Sequence, residues 1–263
     1  MAMRLGRLPH DPVALAAAPS LATHHYAVMA PSDRLVRAGV AFAPQLRNND
    51  TLPVCTAVGL LNGALGLEAL NTNSDLAIAE GVELPFYAGC VGCAASPTAI
   101  AATDGAAVLD VLRRQCNLGF DIGATAPLTA DFASIAVTDR AGLANSMALQ
   151  GVGYWGVDLY ERDMDTPEGE AWDDDGSSPG AAVGGHCLVA WDYAGLGDTD
   201  IGRLATWGRF QSFTWRWAQA RLREAYVLLW PELQRADGTN WAGVDVDRLR
   251  ADIAQWLAGN GEV

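Results

Sequence analysis

The longest apolar stretch of the chain covers residues 54–70, VCTAVGLLNGALGLEAL, and it is apolar on almost every helical face. A helix that is hydrophobic all round belongs in the middle of a protein. Asp50 or Thr51 can cap its start, and Pro53 is tolerated in a first helical turn. The pattern therefore predicts a central buried helix that begins just after residue 50.

Two further helices are predicted in the first half of the chain, over residues 75–87 and 106–116, and the second is clearly amphipathic. Residues 1–50 carry five prolines and little periodicity. That composition predicts an extended N-terminal segment that braces the core rather than an independent domain. Residues 51–145 are then expected to form a mainly helical half.

The second half, residues 146–263, has a different composition, because all nine tryptophans lie beyond position 150. Short apolar runs over residues 151–160, 186–193 and 224–230 are separated by acidic and turn-forming stretches. Such runs are typical of antiparallel strands. This half is therefore expected to be β-rich.

Two segments of the second half stand apart from the strands. The acidic stretch 164–180 predicts an exposed loop; it does not match the twelve-residue calcium-binding loop with its closing Glu. The tail predicts a docked terminal helix, because apolar residues recur there at helical spacing: Val246, Leu249, Ile253, Trp256 and Leu257.

The net charge of −14, from 31 acidic and 17 basic side chains, argues against nucleic acid as a partner, since binding phosphates needs clustered Lys and Arg. No apolar run approaches the roughly 18 residues that span a membrane, so no membrane partner is expected. Prolines and charges interrupt the N-terminus before a signal-peptide core forms. We therefore expect synthesis in the cytoplasm without a signal peptide, and export by another route, such as incorporation into a particle, stays open.

Five cysteines are too few for a disulfide scaffold in a chain of this length, and because their number is odd at least one thiol is free. Cys90 and Cys93 form a single CxxC, which is a weak signal for zinc or redox chemistry and favours plain structural thiols. Cys187 should point from its strand into a core, on the face opposite to its neighbour His186.

Cys55 falls in the first turn of the predicted buried helix, where unpaired N–H groups and the positive end of the helix dipole favour a thiolate. His186 lies at the head of an apolar strand-like run, directly after two glycines. Neither residue is decisive alone. The order Cys then His across two differently composed halves fits a nucleophile and general base at an interface.

These segments carry a family resemblance. The stretch around Cys55 resembles the nucleophile segment of papain-like cysteine peptidases, and the stretch around His186 resembles their catalytic-histidine segment. More narrowly, the chain resembles a papain-like group encoded by phages, prophages and bacteria over nearly all of residues 4–232. The matching stretches are RLGRLPHDP, NNDTLPVCTA, TDGAAVLDVLRRQ, GGHCLVAWDY, ATWG and TWRWAQARLREAYVLLWPE.

The resemblance implies roles for individual residues. Cys55 would be the nucleophile and His186 its base. Asn49, six residues before the cysteine, would donate to the oxyanion together with the Cys55 backbone N–H. Trp207 would shield the histidine ring.

The chain departs from the family pattern at two positions. Where the family places an Asn that orients the histidine, this chain has Ala205 followed by Thr206, so Thr206, a backbone carbonyl or Asp192 would have to orient His186. Pro53 replaces the Gly usually found two residues before the nucleophile, which would crowd the approach of a substrate. The fold is therefore better supported than the activity.

The resemblance implies an α+β, papain-like fold, with the helical half packed against an antiparallel, barrel-like half and the site in the cleft between them. The implied function is a cysteine peptidase (a thiol hydrolase) that cleaves a peptide or amide bond without a metal or organic cofactor. The substrate would be a peptide or a cell-wall peptide. The alternative is a catalytically weakened domain that serves as a structural or binding component of a phage particle or tail-like assembly, with other phage structural proteins as partners.

Overall fold

The computed structural model describes residues 3–18, 20, 32–74, 76–123, 126–233 and 251. The helices within these residues are α1 (Pro12–Ala17), α2 (Cys55–Thr72), α3 (Glu83–Val91), α4 (Pro97–Ala101), α5 (Val108–Asn117), α6 (Arg140–Gln150), α7 (Glu161–Asp165) and α8 (Trp215–Arg221). The strands are β1 (Asp131–Ile135), β2 (Gly153–Tyr160), β3 (Ala182–Tyr193), β4 (Ile201–Thr206), β5 (Arg209–Thr214) and β6 (Leu222–Leu229), and a short 3-10 turn follows at Pro231–Leu233. The mixture of helices and an antiparallel sheet confirms the predicted α+β class.

The six strands form one antiparallel sheet in the order β1-β6-β2-β3-β4-β5. The sheet is open, so the expected barrel-like closure is wrong. Closure would require β1 to pair with β5, but single bridges occupy those two strands instead: Ser20 pairs with Ser134 of β1, and Trp172 pairs with Phe213 of β5. These short contacts cover the edges, which would otherwise present unpaired backbone groups.

Helix α2 is the predicted central helix, and 14 of its 18 residues are buried. It packs across β3 at close range, because glycines face the sheet. A Cβ atom on Gly59 would lie 2.8 Å from the ring of Tyr154, and one on Gly66 would lie 2.9 Å from the ring of Trp191. The expected capping by Asp50 or Thr51 is wrong: the helix begins at Cys55, and no side chain caps it.

The other predicted helices are present with shifted boundaries. The helix expected over residues 75–87 begins only at Glu83, after turns at 80–82, and the one expected over 106–116 is α5. The N-terminal segment is not extended throughout, since Asp11 accepts a hydrogen bond from the backbone N–H of Val13 and caps α1. Among the described residues, no helix is long and apolar enough to cross a membrane. The predicted C-terminal helix lies outside the described residues.

The sequence predicted an exposed loop over the acidic stretch 164–180, but the structure shows that part of this stretch is buried. Trp172 is buried in the middle of it, and its backbone N–H donates to Ser212. Three ion pairs hold the segment: Asp173 with Arg216, Asp174 with Arg221, and Asp175 with Arg162. Arginine side chains therefore neutralise the carboxylates and allow the segment to pack against the sheet.

Gly59→Ala and Gly63→Ala form a matched pair that tests the close packing of α2. We expect Gly59→Ala to unfold more easily than Gly63→Ala by about 1–3 kcal/mol, the usual cost of overpacking a core. The added methyl group at 59 meets the Tyr154 ring, which is held by a 2.8 Å hydrogen bond from its hydroxyl to the Thr56 carbonyl. At 63 the nearest atom is a Leu228 methyl at 3.3 Å. Chemical denaturation measures both variants, and equal midpoints would contradict the packing described.

Candidate active site

Cys55 is the first residue of α2 and is fully buried at the junction of the helix with β3. No side chain caps the backbone N–H groups at this end of the helix. These groups and the helix dipole create a positive potential at the helix start, which favours a thiolate there.

His186 lies on β3, where it pairs in register with Val157 of β2, and it is also fully buried. Its Nε2 is 2.7 Å from the hydroxyl oxygen of Thr206 at the end of β4. Its ring stacks on Trp207, with the ring centres 4.3 Å apart and the planes 20° from parallel. Nδ1 is buried and has no hydrogen-bond partner of good geometry among the described residues.

A strained turn places Trp207 over the histidine. Thr206 pairs with Arg209, so Trp207 and Gly208 alone form the loop between β4 and β5, with φ values of +45° and +74°. Tight hairpins of this kind need positive φ at both loop residues, which a bulky side chain rarely adopts. Such strain costs about 1–3 kcal/mol and persists only where the surroundings impose it. Here the stack on His186 and an edge contact with Trp172, at 6.2 Å between ring centres, hold the indole in place.

The electrostatics of the site favour an ionised Cys55. Burial raises the pKa of this thiol, but the neighbouring Cys187 thiol and His186 imidazole hold it well below the ordinary value. Burial and the neighbouring Cys55 raise the pKa of Cys187 well above its ordinary range. Cys187 therefore stays a protonated thiol beside Cys55.

The interaction of Cys187 with Cys55 was not foreseen from the sequence. Cys187 is buried in the same apolar cluster as Cys55, while His186, its neighbour on the strand, stacks on Trp207. The alternation of a strand predicts this separation of neighbouring side chains. Only the position of α2 brings Cys55 within reach of both residues. Among the described residues all five cysteines are free.

Asn49 lies in the turn that leads into α2, and its backbone N–H donates to the carbonyl of Leu46 at 2.9 Å. Arg47 and Asn48 make the turn with positive φ values of 44° and 61°. The Asn49 side chain is buried, and its Oδ1 has no hydrogen-bond partner among the described residues. The turn therefore holds the Asn49 side-chain amide near the start of α2, and Oδ1 accepts no hydrogen bond there from the described residues.

Among the side chains proposed to orient His186, the structure brings Thr206 to the ring. Asp192 instead pairs with Arg203 through both carboxylate oxygens and accepts from the backbone N–H of Arg37. Ala205 packs into an apolar cluster on the other face of β4. Thr206 follows it by one residue and therefore faces the histidine.

The N-terminal segment, residues 4–8, lies between the two halves beside the nucleophile and the histidine. The Arg7 N–H donates to the carbonyl of Gly185 at 3.0 Å, and the N–H of Ala106 donates to Gly6 at 2.8 Å. A Cβ atom on Gly6 would lie only 2.1 Å from the carbonyl oxygen of Pro53, two residues before Cys55. The segment therefore covers the backbone next to both reactive side chains.

No known family profile matches the chain, and no curated protein matches it in sequence. Solved structures do match in fold. Xylellain, a cysteine protease from Xylella fastidiosa, superposes with a TM-score of 0.61 at 11% identity, over 87% of this chain and 96% of that one. The cysteine protease and lectin-like domains of Cwp84, a surface layer associated protein of Clostridium difficile, give 0.58 at 10% identity over 88% and 57% of the two chains. The proCathepsin B S9 of Trypanosoma congolense gives 0.55 at 8% identity over 87% and 93%.

These likenesses confirm the papain-like α+β fold that the sequence predicted. At identities this low they establish the fold and leave the chemistry to the residues of this chain.

The ionisation of Cys55 can be measured without a reagent, from the ultraviolet absorbance of the thiolate in wild type minus Cys55→Ala. We expect a midpoint well below the ordinary cysteine range in wild type. In His186→Ala the midpoint should rise, because the imidazole then no longer opposes the effect of burial. Cys116→Ala is the control, since burial raises the pKa of that thiol and keeps it protonated. An unchanged midpoint in His186→Ala would show that the two side chains do not interact.

Proposed function

We propose that the protein is a cysteine peptidase, a thiol hydrolase that cleaves a peptide or amide bond with Cys55 as nucleophile and His186 as general base. The observation that carries the proposal is the buried Cys55 thiol beside an imidazole that Thr206 orients at 2.7 Å and Trp207 covers. A nucleophile, a base and a group that orients the base form the arrangement that activates a thiol.

Thr206 decides which imidazole nitrogen acts as the base. When its hydroxyl oxygen accepts from Nε2–H, the lone pair of the neutral ring is on Nδ1. Nδ1 is also the buried ring nitrogen without a partner among the described residues. It therefore takes the Cys55 proton, and the resulting imidazolium keeps its hydrogen bond to Thr206. Catalytic hydrogen bonds often form fully only when substrate is bound, so the unpartnered Nδ1 is consistent with this role.

The start of α2 supplies the electrostatic part of the reaction. As the thiolate attacks a carbonyl carbon, negative charge moves to the carbonyl oxygen. The Cys55 backbone N–H and the Asn49 amide are the proposed donors to that oxygen. His186 then protonates the leaving amine, and a water molecule hydrolyses the thioester and restores the thiol.

The finer assignment, to the peptidases of phages and prophages, rests on the sequence stretches that resemble that group. Peptides of proteins or of cell walls are the substrates proposed, and zymography on cell walls separates the two classes. The non-catalytic alternative, a structural component of a phage particle, would leave the aligned Cys55, His186 and Thr206 without a use. Co-purification with particles at fixed stoichiometry would favour that alternative.

Hydrolysis of fluorogenic peptides tests the proposal, and the assay should be run in a Gly6→Ala background. The added methyl group cannot fit against Pro53, so residues 4–8 should leave the cleft and expose Cys55. In that background His186→Ala should lower kcat/KM by about 10²- to 10⁴-fold, the usual contribution of a general base.

Thr206→Val should lower kcat/KM by roughly 10- to 100-fold, the value of a hydrogen bond to a charged group. Thr98→Val, on the exposed face of α4, is the matched control and should leave the rate unchanged. If Gly6→Ala cleaves peptides no faster than the Gly6→Ala, Cys55→Ala double variant, the protein is not a peptidase of this kind.

A further inference from the structure

The N-terminal segment pairs with both walls of the cleft in the manner of an extended peptide. Arg7 forms a parallel bridge with Ala106 on the helical side and an antiparallel bridge with Gly185 on the sheet side. The flanking hydrogen bonds are Leu8 N–H to Ala106 at 3.0 Å and Ala106 N–H to Gly6 at 2.8 Å. The helical wall thus offers a backbone donor and an acceptor, and the sheet wall offers the Gly185 carbonyl as an acceptor. Backbone pairing of this kind is how a groove binds an extended chain.

The Arg7 side chain fills an acidic pocket beneath this backbone. Its guanidinium pairs with Glu224 at 2.9 Å and with Asp158, and it donates to the carbonyl of Val157 at 3.3 Å. The Arg7 side chain is 2% exposed and that of Glu224 is 0% exposed. The Tyr226 hydroxyl also donates to Glu224 at 2.9 Å. The pocket therefore has a carboxylate at its base and a second, half-exposed carboxylate at its rim.

Glycines shape the pocket around the arginine. A Cβ atom on Gly156 would lie 2.8 Å from Cδ of Arg7 and 2.6 Å from Cγ of Glu224. A Cβ atom on Gly185 would lie 2.3 Å from the Arg7 carbonyl oxygen. Side chains at these two strand positions would close the space, so this part of the sheet accommodates a long basic side chain and its backbone.

The location of the pocket connects it with the chemistry. Gly185 directly precedes His186, and Gly6 packs on Pro53, two residues before Cys55. Alongside the segment, a surface cleft of about 450 Å³ continues between Asp158 at the pocket rim and one further carboxylate, that of Asp104. The groove is thus acidic on both sides of the chain that occupies it.

Stability alone does not account for this arrangement. A buried ion pair is often no better than well-packed apolar side chains of similar volume, because removing two charges from water offsets their attraction. A pocket that must recognise a basic side chain needs the carboxylate, since a cation left without a partner would not be bound there.

We infer that the Arg7 pocket is a specificity pocket for an Arg or Lys side chain of the substrate peptide, with Glu224 and Asp158 as the residues that select it. In the resting protein residues 4–8 occupy the groove, and a basic peptide replaces them. The inference rests on the proposed function for its link to turnover, but the pocket can be tested by binding alone.

Binding is measured by fluorescence anisotropy with a labelled peptide of residues 3–10, MRLGRLPH, added to the full chain carrying Gly6→Ala and Cys55→Ala. Citrulline in place of the second arginine keeps the shape and removes the charge. We expect it to weaken binding about tenfold or more, as for the loss of a charge-assisted hydrogen bond in a buried site. Leu8→Ala replaces Gly6→Ala in the control chain; its side chain is exposed, so the groove should stay occupied and bind the peptide poorly.

Glu224→Gln should remove the preference for arginine over citrulline, while Glu168→Gln, at an exposed carboxylate, should keep it. Equal binding of the two peptides by the Gly6→Ala chain would overturn the inference, whether or not Glu224→Gln folds.

The peptide-cleavage assay separates this inference from the proposed function. Selective binding of the arginine peptide without cleavage by the active chain would support the pocket and reject the peptidase. Cleavage that is indifferent to arginine, lysine and citrulline would support the peptidase and reject the pocket.

Discussion

The close approach of α2 to β3 is the constraint on which the site depends. Gly59 and Gly66 allow the helix to lie against Tyr154 and Trp191 at distances that a side chain would prevent. The helix start is thereby fixed beside the strand that carries His186. The helix provides the thiol and a positive end, the strand provides the imidazole, and neither element alone would form the pair. Packing of apolar surface thus positions groups that are themselves polar.

Burial makes the polar contacts at this junction strong and also obligatory. Cys55 and His186 are both fully buried, where an unpaired polar group is costly. Thr206 hydrogen-bonds the imidazole, the Cys187 thiol lies beside Cys55, and Trp207 covers the ring. The strained two-residue turn that carries Trp207 lies next to Thr206, so one hairpin supplies both the orienting hydroxyl and the cover.

The N-terminal segment joins the two halves with the same contacts that fill the cleft. Its backbone bonds to Ala106 and Gly185 connect helical and β-rich parts, and Arg7 connects strands β2 and β6 through Asp158 and Glu224. A segment of this kind stabilises the resting protein and restricts access to Cys55 at once. Displacing it exposes two acidic side chains and a row of backbone groups, which is the surface that a basic peptide needs.

The sequence by itself determined the buried helix, the β-rich second half and the order of Cys55, His186 and Trp207, because apolar periodicity and local turn residues reflect short-range constraints. It misplaced the start and the cap of α2. It also missed the open sheet and the burial of Trp172, which depend on contacts between residues far apart in the chain. The choice of Thr206 over Asp192 was open in the sequence, since only the strand faces decide which side chain reaches the ring. Tertiary structure alone decided that Cys187 lies beside Cys55 and that Arg7 pairs with Glu224. No local pattern records that residues 217 positions apart will meet in one pocket.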